Sequence, residues 1–83
     1  MAREEERRLQ KRRSAAPKKL AQLEEKIGAA EAQLEALGAE MLAAGSDASR
    51  AVELSQQQAA VQARIDGMYE EWEELEELLG AVA

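Results

Sequence analysis

The chain has 83 residues with no Cys and no His, which excludes a disulfide scaffold, a thiolate metal site and the commonest general base. Its hydrophobic content of 46% is mostly Ala and Leu, and aromatics make up only 2%, a composition suited to long helices rather than to a mixed core. The net charge of −6 is split: residues 1–19 hold eight basic against three acidic side chains, and residues 20–83 hold three against fourteen, so a +5 arm precedes a −11 body.

Arg3 to Arg13, REEERRLQKRR, is a dense charge run with one leucine. It offers no apolar stripe to a core, so residues 1–13 read as a flexible, largely disordered basic linker. Ser14-Ala15-Ala16-Pro17 breaks the pattern, and Pro17 suits the first turn of the helix that follows.

Helix 1 is predicted over about 15–44. Its apolar residues Leu20, Leu23, Ile27, Ala30, Leu34, Leu37, Met41 and Ala44 recur at intervals of three and four, the period of a coiled-coil seam. The next residues, GSDAS, predict a tight turn at 45–48. Gly45 can end a helix in the left-handed conformation, and Ser46 or Asp47 can cap the next. Helix 2 is predicted over about 49–79. Its seam is Ala51, Leu54, Gln58, Val61, Ile65, Met68, Trp72, Leu75 and Leu79. Residues 80–83 read as a frayed tail.

So short a turn implies an all-α, two-helix antiparallel coiled-coil hairpin over 14–79. Pairing seam positions whose numbers add to 95 brings Met41 opposite Leu54, Leu34 opposite Val61 and Leu23 opposite Trp72, with no slot skipped. On the flanks this register is expected to face Lys26 with Glu71 and Gln33 with Arg64. Trp72, inside the acidic run MYEEWEELEELL, then closes the open end of the hairpin beside Tyr69 and Leu75. These residues, with Leu23, are the structural and interaction candidates.

The sequence offers no catalytic constellation. Its five glycines form no phosphate-binding loop, and no Ser/His or Cys/His pair exists. The seam has no inward Glu with a His partner for metal. No enzyme activity, cofactor or metal is expected. No apolar run nears the ~20 residues of a membrane span, and no signal-peptide core follows Met1, which leads to the expectation of a cytoplasmic location; a chain that folds back on itself is expected to be a monomer. The cations Lys11, Arg12, Arg13, Lys18, Lys19 and Lys26 near the hairpin base are the candidate nucleic-acid contacts, by charge and without sequence preference. The alternative is a protein-interaction hairpin that docks on a partner through its acidic face and Trp72.

The basic lead-in, Pro17 at the helix start, and the ending Tyr69, Trp72, Leu75 and Leu78 together resemble the C-terminal coiled-coil extension of ABC-F ATPases, the Uup-like group. The resemblance spans about residues 10–79. In that group the inter-helix loop is often longer and carries an aromatic, where this chain has GSDAS. The resemblance implies a parent protein with two ATPase cassettes, acting on ribosomes or nucleic acid. In it, this piece would be an auxiliary DNA-contacting module that binds no ATP, the alternative being a hairpin that docks on the parent ATPase domains.

Overall fold

The computed structural model describes residues 2–80 of the chain, without the side chain of Ala2. Two helices, α1 (Ala2–Ala44) and α2 (Ala48–Gly80), lie side by side as an antiparallel hairpin. Its extents are 62 × 21 × 15 Å. At about 1.5 Å per residue, the 43 residues of α1 account for the whole long axis, and α2 is shorter by roughly 15 Å. The N-terminal end of α1 therefore projects past the last residues described for α2.

The turn works through its backbone. Gly45 has φ +57°, the left-handed conformation that ends α1 without the clash a Cβ would bring. The amide of Asp47 donates to the carbonyl of Ala44 at 3.0 Å. Asp47 is the cap of α2: its Oδ1 accepts from the amide of Arg50 at 3.1 Å, and its carbonyl takes the first helical bond from Ala51. Two of the amides left without partners at a helix start are thereby satisfied. The helix starts at Ala48, one residue earlier than the sequence suggests.

All seam positions predicted in both helices are buried or half-buried. Ala30, Leu37, Leu54, Val61 and Ile65 form the packed centre, and Leu34, Met41, Ala44 and Met68 pack against it. The flanks confirm the register independently. In an antiparallel coiled coil whose seam partners sum to 95, the positions on one flank pair at sums of 100 and those on the other at sums of 90. Tyr69 donates its hydroxyl to Glu31 at 2.7 Å, a sum of 100. Arg50 pairs with Glu40 at 3.7 Å, a sum of 90. These contacts replace the Lys26–Glu71 and Gln33–Arg64 pairs expected from the sequence, neither of which is among the hydrogen bonds or ion pairs of the described residues.

The arm also departs from expectation. Residues 2–13, expected as a disordered linker, are helical and continuous with α1, which is unbroken at Pro17. The seam extends backward on the same 3–4 spacing through Ala16, Arg13 and Leu9. Ala16 is fully buried, and Leu9 and Arg13 are half-buried. Register places Ala16 opposite Leu79, so the last turn of α2 covers the point where the arm joins the rest of α1. Two features sustain the helix beyond it. Glu4 and Glu5 sit in its first turn, where the helix dipole favours negative charge, and most of its residues are strong helix formers. Pro17 has no amide for the carbonyl of Arg13, one turn back. Nearby, the Ser14 hydroxyl donates to the Lys11 carbonyl at 3.1 Å. Gly80 ends α2 as its last helical residue. The rest of the expected frayed tail, 81–83, and Met1 lie outside the described residues.

Candidate nucleic-acid interface

Because α1 is one helix, its cations have fixed angular positions. At about 100° per residue, Arg7, Arg8, Lys11, Arg12, Lys18, Lys19 and Lys26 fall within an arc of roughly 140°. All seven are exposed. Arg12, Lys19 and Lys26 recur every seven residues and occupy one flank of the seam, spaced about 10 Å apart along the axis. Lys11 and Lys18 lie on the adjoining outer strip.

Neither Lys11, Arg12, Lys18, Lys19 nor Lys26 has an acidic residue three or four positions away on its own helix. Intrahelical ion pairing, which commonly occupies such side chains, is closed to them. By contrast, Arg50 is engaged on both sides, with Glu53 at 3.2 Å and Glu40 at 3.7 Å.

Arg13, grouped with these cations on the sequence, stands apart. It occupies a seam position, and its Nε is buried without a hydrogen-bond partner. Arg13 is half-buried and lines the groove beside Leu79, apart from the exposed arc of the other cations.

Across the flank from Arg12 and Lys19, α2 contributes its acidic end. Arg12, Lys19, Glu71, Glu74, Leu75 and Leu78 line one groove of about 170 Å³. These carboxylates lie near enough to lower the local potential around two of the candidate cations. No ion pair closes between them among the described residues, so the lysine and arginine heads remain available to a competing anion. A broader groove of about 970 Å³ opens where α1 projects past α2, lined by Arg7, Gln10, Lys11, Arg13, Ser14 and Leu79.

The interaction candidates divide in the same way. Leu23 is buried, and Trp72 and Leu75 are half-buried on the seam. Trp72 does not close an open end, since the seam continues past it to Leu79 and Ala16. Tyr69 is 46% exposed and is tied to Glu31. The hydrogen bond to the Glu31 carboxylate holds the Tyr69 hydroxyl above its usual range, with smaller contributions from desolvation and from the nearby negative charge.

Sequence reasoning missed Arg64. Its charge is visible in the sequence, but the residue it faces across the hairpin depends on the flank geometry. No described helix is long and apolar enough to cross a membrane.

A family model described as ABC transporter C-terminal domain matches residues 4–77, taking in most of the arm, the turn and nearly all of α2. No curated protein and no solved structure matches the chain.

Proposed function

The chain belongs to the ABC transporter C-terminal domain family, and on that premise we propose that it is a non-catalytic accessory domain of a cytoplasmic ABC-F ATPase that holds nucleic acid by its phosphate backbone. One observation carries the reading: a continuous α1 presents Arg8, Lys11, Arg12, Lys18, Lys19 and Lys26 on one exposed arc, none of them in an ion pair among the described residues. A helix that displays cations on a fixed spacing meets a phosphate array without first paying the ordering entropy of a disordered tail. No aromatic residue interleaves these cations to stack on bases, so binding is indifferent to sequence.

The test is a titration of the 83-residue chain with labelled duplex DNA, and in parallel with duplex RNA, across a salt series. Neutralising about four phosphates on duplex DNA gives a log–log salt slope near −3.6. Affinity that is unchanged by salt, or by Lys11→Gln with Arg12→Gln and Lys19→Gln, overturns the reading. The ratio of DNA to RNA affinity separates a DNA-directed role from a ribosomal one.

A second reading, a protein-docking hairpin, draws on the broad groove beside Leu79, where aliphatic stems of the arm are accessible. It predicts no nucleic-acid affinity and an association that is lost on Leu79→Ala or Trp72→Ala.

A further inference from the structure

The flank that carries Arg12, Lys19 and Lys26 continues onto α2, and its register is fixed at both ends. Near the turn, Glu40 meets Arg50 in an ion pair. Near the base, Lys19 and Glu71 line one groove, as do Arg12 and Leu78. All three pairs have numbers adding to 90. Stepping seven residues at a time between them gives Gln33 opposite Gln57, and then Lys26 opposite Arg64. The middle of the hairpin therefore sets two cations against each other across the seam.

No carboxylate on the same helix face compensates them: Glu24 and Glu25 precede Lys26 directly, but about 100° or more around the helix from it. The residues three and four positions from Lys26 are Gln22, Leu23, Ala29 and Ala30, and those from Arg64 are Ala60, Val61, Gly67 and Met68. The one carboxylate close in sequence to Arg64, Asp66, accepts from Gln62 at 2.9 Å. Both cations are exposed, and neither enters an ion pair among the described residues. In a body with fourteen acidic side chains against three basic, two of those three are thus juxtaposed and unneutralised. A like-charge pair of this kind opposes the hairpin's own folding.

We propose that Lys26 and Arg64 form a clamp for one backbone phosphate, the inner end of a cationic strip that starts at Arg12 and runs about 21 Å along the flank. The proposal rests on the nucleic-acid reading above and adds a contact on α2 to it. An oxyanion between the two heads turns a repulsive pair into two attractive ones, and Arg64 can engage it with two parallel N–H donors. The surroundings suit close approach. Ala29, Ala60 and Gly67 border the two cations with little side-chain bulk, and the space over Gly67 is open, with nothing within 4 Å of where a Cβ would stand. Toward the turn the flank is neutral at Gln33 and Gln57, then closed by the Glu40–Arg50 ion pair. Toward the base, Glu71 and Glu74 oppose the strip. The clamp is therefore the place on this flank where an anion meets two cations from two helices with no carboxylate opposite.

The experiment compares the 83-residue chain with Lys26→Gln/Arg64→Gln and Lys11→Gln/Lys18→Gln. Each is titrated with labelled duplex DNA over a salt series and is melted without DNA at low salt. The clamp variant is expected to melt higher by about 1–3 °C, because a repulsive pair is gone. It is also expected to bind DNA several-fold more weakly at low salt, with a salt slope shallower by about 0.9, one phosphate fewer. A gain in folding together with a loss in binding is not what a merely structural pair produces. If the wild type and the Lys11/Lys18 variant show salt-dependent binding but the clamp variant keeps the wild-type slope, the clamp is wrong and the nucleic-acid reading stands. If the clamp variant melts lower than wild type, the like-charge juxtaposition is wrong. If the wild-type chain does not bind at all, the broader reading fails and the clamp with it.

Discussion

Leu54→Ala measures how much of this fold depends on the seam. Leu54 is 0% exposed at the centre of the packed cluster, while Leu42, twelve residues earlier and just across the turn, is 86% exposed. The two leucines have the same intrinsic hydrophobicity and sit on equally helical backbone. Only register distinguishes them. Truncating a buried leucine costs about 2–5 kcal/mol, the lost transfer energy plus the cavity that remains. A chain of this size has a total stability of about 4–12 kcal/mol. The substitution therefore removes a large fraction of what holds the hairpin, and lowers Tm by roughly 8–40 °C at 4–8 °C per kcal/mol. Leu42→Ala should stay within about 0.5 kcal/mol of wild type. Urea unfolding followed by circular dichroism at 222 nm reads both, with the slope against urea unchanged if only stability has moved. Equal losses from the two variants, or a larger one from Leu42→Ala, would refute the seam assignment.

Pro17→Ala restores an amide that can donate to the Arg13 carbonyl. It should raise both helix content and Tm, by up to about 3 kcal/mol of helix stability; no gain in the circular dichroism signal would mean that the helix does not cross position 17. Gly28→Ala and Gly67→Ala introduce methyls that meet nothing within 4 Å, so each should stabilise by up to about 1 kcal/mol, whereas Gly45→Ala, at φ +57°, should destabilise. A urea midpoint that shifts the same way for all three would contradict the turn. The Tyr69 hydroxyl, held above its usual pKa of 10.0 chiefly by its bond to Glu31, gives up its proton less readily in the folded chain than in the unfolded one. Its contribution to stability is thus full below pH 10 and lost as pH rises beyond it. Ultraviolet titration should show Glu31→Gln moving the Tyr69 ionisation downward, and an unchanged titration would remove the contact.

The hairpin was legible because its seam residues repeat without interruption from Leu20 to Ala44 and from Ala51 to Leu79, and because Gly45 and Asp47 punctuate the turn. The polar Gln58 did not break the pattern, since one half-buried amide is tolerated between apolar layers. The arm was not legible. Its seam continues through Leu9, Arg13 and Ala16, but one of these is charged and one is a small alanine, while Pro17 marks what is normally a helix start. Packing of Ala16 beneath the end of α2 outweighs that local signal. The flanks were misread for a geometric reason. Seam partners fix the sum of 95, but residues outside the seam point away from their own layer and meet partners five residues from the one that sum names. Pairing by layer alone therefore sets Lys26 against Glu71, which hides its juxtaposition with Arg64 and makes the middle of the flank look neutralised.

The register supports both the fold and the cationic flank, and cysteine crosslinking tests it most directly, since the chain has no native cysteine. Two double variants, Gln33→Cys/Gln57→Cys and Gln33→Cys/Arg64→Cys, would be treated with a short bismaleimide at low protein concentration and compared for intramolecular product. The account predicts rapid closure of the 33/57 pair and little of the 33/64 pair, which stands about 10 Å further along the axis. Preferential closure of 33/64 would shift the flank by one heptad and separate Lys26 from Arg64.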